Sequence, residues 1–193
     1  GCSAPCDVQD AQMPRAQGCA GAATPSECQS VFKMVLNREK LTFSGSLLKR
    51  GFWIYLWRVR IGKRMLIYVG RTGDSSSRYA SSPFNRLGMH LDLRQTAKGN
   101  SLVRLLKESG INPVSCTFEM FAIGPLFKEQ HSFAAHKPYR NRAAFLEAEL
   151  ANHLVNNGYP VLGKHPKRGE YDKQIFSRIR KAVDRFLSRS SLG

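Results

Sequence analysis

Acidic side chains are scarce in this sequence: 14 Asp+Glu stand against 30 Lys+Arg, for a formal net charge of +16 and a pI near 10.1. Long apolar runs are missing. None approaches the roughly 18–20 residues a bilayer span needs, so no membrane association is expected. Cysteine is scarce outside the N-terminal thirty residues, where four of the five lie: Cys2, Cys6, Cys19 and Cys28. They form no C-x-x-C pair and have no histidine nearby, which argues against a zinc site. With only Cys116 in the body, a reducing cytoplasm is the expected compartment. Gly70-Arg71-Thr72-Gly73-Asp74 lacks the Lys-Ser/Thr ending of a phosphate-binding P-loop.

Hydrophobic residues at 42% and charged residues at 23% are ordinary globular usage, enough for one sizeable core in 193 residues. Residues 1–30 differ from the rest. They carry one basic residue, Arg15, and three acidic ones, Asp7, Asp10 and Glu27. They are rich in Ala, Gly, Pro, Ser and Gln, without helical or strand period, and read as a flexible arm. No secretory signal is expected there, since a basic start and an apolar stretch are both lacking. Residues 31–193 then hold 29 basic and 11 acidic residues, a net +18. They read as a single domain. An excess of this size attracts acidic partners, nucleic acid foremost.

Val31–Leu48 reads as a mixed, partly helical lead-in. Phe52–Arg60, FWIYLWRVR, is aromatic and β-branched on both faces and predicts a central strand. Ile61–Arg64 is a turn and Met65–Val69 the return strand of a hairpin. If the turn centres on Gly62-Lys63, Trp57 pairs with Tyr68, and Tyr55 becomes a diagonal neighbour of Tyr68 on the same face. A slip of one residue would separate them. Ser82-Pro83 is an N-cap with proline at the first helical position, opening a helix to about Leu93. Arg86 and His90 share one face of it, a turn apart. Asn100 or Ser101 caps a short helix ending at Gly110. Val114–Ile123 is a third strand and Phe127–Tyr139 a loop. Asn141 caps a long helix to Asn157, and Gln174–Leu187 is a basic amphipathic helix at the C-terminal end. The expected fold is α+β: a small antiparallel three-stranded sheet, the hairpin plus the third strand, flanked by helices.

In the long helix, Leu146, Leu150 and Leu154 mark the inner stripe. Glu147 falls at its edge and Glu149 points away. An inward glutamate needs a partner: a metal, or one of the many arginines. By the same count Asn157 returns to the inner face.

Two tyrosines, an arginine, a histidine and an inward glutamate, in that order on a hairpin, a helix and a second helix, resemble the GIY-YIG nuclease family. The signature triplets stand as Trp53-Ile54-Tyr55 and Tyr68-Val69-Gly70. The family's arginine helix matches Pro83–His90, and its metal-binding glutamate matches Glu147, followed by Leu150. The Arg-x-x-x-His pair is most similar to the type II restriction endonuclease branch. The likeness covers roughly residues 50–163. Trp53 replaces the first glycine, and the family's asparagine is either Asn157 or absent.

The resemblance implies a phosphodiester hydrolase with catalytic Tyr55, Tyr68, Arg86, His90, Glu147 and Asn157, and with Mg2+ (or Mn2+) on Glu147. Tyr55 would serve as base or base-relay, Tyr68 would orient the water or phosphate, and Arg86 would stabilise phosphoryl charge. The expected partner is double-stranded DNA, cut by a homodimer on a palindromic site. Arg71, Arg78, Lys137, Arg140, Arg142, Lys164, Lys167 and Arg168 are the candidate DNA contacts. A structure-specific repair or toxin-type nuclease of this family, and a non-catalytic basic DNA-binding module, are the alternatives.

Overall fold

The computed structural model describes residues 36–73, 80–165 and 169–188. The arm at 1–30, with its four cysteines, and the candidate contacts Arg78, Lys167 and Arg168 lie outside them. The chain divides into two units, Gly1–Lys40 and Leu41–Gly193. In the first, the described residues 36–40 form neither helix nor strand. The expected helical lead-in is therefore corrected: of its described part only Gly45–Leu48 is helical, as a 3-10 turn. Thr42, Phe43, Ser44 and Gly45 are weak helix formers, and nothing periodic offsets them.

The second unit is an α+β fold. Strands β1 (Phe52–Ile61) and β2 (Arg64–Arg71) form the hairpin. Helices α1 (Pro83–His90) and α2 (Ser101–Glu108) follow, then β3 (Thr117–Phe127). Helix α3 (Phe133–Asn156), the short β4 (Val161–Leu162) and α4 (Lys173–Ser188) complete it. The sheet order is β3-β1-β2-β4. The expected three strands are thus four, and the sheet is mixed, because β4 runs parallel to β2. A two-residue strand is too short to show a period of two, which is why the pattern does not reveal it.

The hairpin register is the expected one, with Trp57 opposite Tyr68 and Tyr55 opposite Gly70. Gly62 takes φ +53 in the turn, the left-handed region that glycine adopts at little cost. At Trp53 the pairing of β1 with β3 shifts register. Its indole is buried and donates from Nε1 to the Lys49 carbonyl at 3.0 Å.

Strand β1 is buried on both faces. On one, Ile54, Leu56, Ile67 and Val69 pack on Leu146, Leu150 and Leu154 of α3 and on Ile179, Val183 and Leu187 of α4. On the other, Tyr55, Trp57, Val59 and Tyr68 pack on Leu102 and Leu106 of α2. Each such aliphatic side chain contributes about 1.5–3 kcal/mol by leaving water. Arg58 is nearly buried on the first face. It pairs with Glu119 of β3, and its guanidinium lies 4.5 Å from the Phe186 ring centre.

Several boundaries differ from expectation, among them the end of α1, which stops at His90 rather than about Leu93. Strand β3 starts and ends later than predicted. Helix α3 begins at Phe133, not after Asn141, and Pro138 lies inside it. Ser132 is its cap, accepting from the Ala135 N–H at 3.2 Å. Proline removes one helical hydrogen bond, and the capped turn before it keeps the helix continuous.

Candidate active site

Side chains from both layers meet at the C-terminal end of β2. Among the described residues β4 pairs with β2 only at Ile67 and Tyr68, so no fourth strand borders Val69–Arg71. A cleft of about 180 Å³ opens there. Tyr55 comes from β1, Tyr68 and Arg71 from β2, Arg86 and His90 from α1, and Glu147 from α3; all six line it.

Each residue is placed by local rules. The hairpin register puts both tyrosines on the α2 side of the sheet. Ser82 caps α1 by accepting from the Asn85 N–H at 3.2 Å, which sets the phase of Arg86 and His90. Leu146 and Leu150 bury the α3 stripe, leaving Glu147 at its edge with 21% of its side chain exposed. Gly70 leaves room for the Tyr55 ring. A Cβ there would stand 2.4 Å from Tyr55 Cε2.

His90 sits edge-on between the two phenols, with ring centres 5.6 Å from Tyr55 and 5.3 Å from Tyr68. The Tyr55 hydroxyl lies 2.6 Å from His90 Nε2 and donates to the Arg71 carbonyl at 3.1 Å. A phenol has one proton: when the Arg71 carbonyl takes it, Nε2–H donates to Tyr55, and in the other imidazole tautomer the Nε2 lone pair accepts it instead. His90 Nδ1 is buried and makes no hydrogen bond among the described residues. Burial, and then the neighbouring Arg86, lower the imidazole pKa to about 4, so it is neutral at pH 7. Burial raises Tyr55 well above the usual phenol value, and Tyr68 and Glu147 add to this against the opposing arginines. Tyr68 is pushed up to about 12, by burial first and the Glu147 charge second. Neither phenol is ionised at rest.

Arg71 Nε stands 2.9 Å from Glu147 Oε2, and its Nη1 donates to the Gly73 carbonyl. Two arginines against one carboxylate make the cleft a site for an anion. A hydrogen-bonded pair of hydroxyl and imidazole lies beside it, with a carboxylate within the same space. Among the described residues no three His, Cys, Asp or Glu side chains cluster to hold a metal. One carboxylate still fits Mg2+, which keeps several waters and takes further ligands from substrate phosphates.

Asn157 is not part of this cleft. It follows the last turn of α3, roughly 15 Å along the axis from Glu147 at 1.5 Å per residue. It is exposed there, and its amide donates to the His153 carbonyl at 2.7 Å. A residue at a helix end is turned by its cap, and the helical count no longer applies. Glu149 lines a separate hollow with Tyr171. Lys137, Arg140 and Arg142 lie on the first half of α3 and do not line the cleft; Arg142 sits over the Tyr139 ring. The sequence predicts no role for Ser101 beyond that of a helix cap. Its side chain lines the cleft beside Tyr68. Thr72, which no sequence pattern marks as structural, is fully buried. Its Oγ1 accepts from the Trp53 N–H at 2.8 Å and donates to the Gly51 carbonyl at 2.5 Å, tying the ends of β1 and β2 together. None of the protein-family models matches the chain, and neither a curated protein nor a solved structure matches it.

Proposed function

We propose that the chain is a metal-dependent endonuclease that hydrolyses phosphodiester bonds in double-stranded DNA, similar to the type II restriction branch of the GIY-YIG family. The observation that carries this reading is the convergence of Tyr55, Tyr68, Arg71, Arg86, His90 and Glu147, drawn from four elements, on one small cleft. The net charge of +16 supports a polyanionic substrate.

Arg86, with Arg71 beside it, grips the scissile phosphate and stabilises the charge that builds on its oxygens. Tyr68 orients the attacking water. Tyr55 is too weakly acidic to wait as phenolate, so it relays. It takes the water proton as its own passes to neutral His90 across the 2.6 Å contact. This transfer uses the tautomer with the lone pair on Nε2. Glu147 would hold Mg2+, or Mn2+ in its place, which supplies charge neutralisation at the leaving oxygen. Arg71 then passes from the carboxylate to the phosphate.

One observation favours a second reading. Glu147 is ion-paired with Arg71, as expected of a structural carboxylate in a DNA-binding module without catalysis. Incubation with plasmid and phage DNA and Mg2+ separates the two. Discrete bands mean sequence-specific cleavage by a restriction-type enzyme, a smear means a non-specific nuclease, and uncut DNA that is still bound supports the binding module.

A further inference from the structure

The cleft continues into a groove of about 760 Å³ that shares Tyr68, Arg71, Ser101 and Glu147 with it. Its floor is Ala144 and Ala148, one helical turn apart on α3 and both buried. One wall is α2, with Arg104, Leu105 and Glu108. The other is the segment after β4, with Gly163, Lys164 and His165. The two walls come close at Gly163. A Cβ there would stand 3.3 Å from Leu105 Cδ1, and Gly163 takes φ +88. The volume falls in the ordinary range for small-ligand sites, about 300–1,000 Å³.

The lining is mixed in a particular way. Two cations, Arg104 and Lys164, line it together with the aliphatic Leu105, Ala144 and Ala148. Arg104 Nη1 is held by Glu108 Oε1 at 2.9 Å, four residues on in the same helix, with 59% of the arginine side chain exposed. Exposed pairs of this kind contribute about 0.3–0.5 kcal/mol, too little to keep a phosphate from taking the guanidinium. A cation from each wall suits a phosphodiester, and the aliphatic lining of the same groove suits the sugar and base edge attached to it.

We propose that this groove is a second nucleotide subsite. It holds the phosphate and sugar next to the scissile bond on the cleaved strand, with Arg104 and Lys164 as its phosphate contacts and Glu108 as an internal competitor for Arg104. The assignment of the strand rests on the nuclease reading of the adjoining cleft; the assignment of a nucleic-acid phosphate to the groove does not.

The test is binding of the full chain to a fluorescently labelled 30-base-pair duplex in EDTA, by anisotropy, across a salt series. Arg104→Ala and Lys164→Ala should each weaken binding about tenfold and make the log–log salt slope shallower by about one, the signature of a lost phosphate contact. Glu108→Gln should tighten binding, because it releases Arg104 and removes a like charge. Lys107→Ala, on the same helix but outside the groove, should leave the slope unchanged. The proposal is overturned if Arg104→Ala and Lys164→Ala bind within twofold of the parent with its slope, or if Lys107→Ala matches them. The same proteins are then given Mg2+. Slope changes with no cleavage by the parent would fell the nuclease reading and leave the groove standing. Cleavage with unchanged slopes would do the reverse.

Discussion

Replacing Gly70 by alanine tests the geometry of the site through a single methyl group. Gly70 is directly opposite Tyr55 in the hairpin. An added Cβ would lie 2.4 Å from Tyr55 Cε2, 2.7 Å from Cζ and 2.8 Å from Oη. Ordinary carbon contacts begin near 3.5 Å, so the ring must retreat by roughly 1 Å. It has little room, being 2% exposed and pinned by His90 and the Arg71 carbonyl. Overpacking of this kind costs about 1–3 kcal/mol. In a Tyr55→Leu background the clashing atoms are gone. The same change should then gain about 0.5–1 kcal/mol, because alanine is less costly than glycine inside a strand. The sign reversal implies a coupling of about 1.5–4 kcal/mol between the two positions. Tyr55→Phe keeps the ring and should not relieve the clash. Urea unfolding followed by fluorescence of buried Trp53 and Trp57 measures all six proteins, Gly70 and its alanine variant in the Tyr55, Leu and Phe backgrounds. If Gly70→Ala costs the same with Tyr55 and with Leu at that position, the close approach does not exist. In a cleavage assay Gly70→Ala should lose about a hundredfold in rate, since a hydroxyl displaced by about 1 Å no longer relays its proton.

Glu147→Ala should abolish Mg2+-dependent cleavage and leave DNA affinity equal or slightly higher, while Glu149→Ala, beside Tyr171, should stay active; parallel cleavage and binding assays read both, and the opposite ranking would reassign the metal ligand. Because the His90 pKa falls to about 4 in the fold from an ordinary 6.5, the unfolded chain binds the extra proton between these values. Stability is therefore full above about pH 6.5 and falls as pH drops toward 4, by about 3 kcal/mol in all. His90→Gln should flatten that part of a pH series of urea melts, and an unchanged profile would mean that the imidazole is not desolvated. Thr72→Val should cost about 1–3 kcal/mol in the same melts by stranding the Trp53 N–H and the Gly51 carbonyl, and a neutral result would show those groups find other partners.

The hairpin, its register, the cap at Ser82 and the inward edge of α3 were legible in the sequence. Each depends on contacts within a few residues: strand alternation, turn chemistry, one capping hydroxyl and one helical stripe. So Tyr55, Tyr68, Arg86, His90 and Glu147 could be picked before any fold was known. Tertiary structure decided what these groups do to one another. His90 became a neutral imidazole wedged between two phenols because α1 packs on one face of the sheet. Arg71 met Glu147 because α3, on the other face, reaches the same sheet edge. Two-residue β4 and the Thr72 tie left no periodic trace, since each is defined by a partner distant in sequence. Asn157 failed for the converse reason. A helical count places a side chain only while the helix lasts, and at its end the cap, not the period, sets the direction.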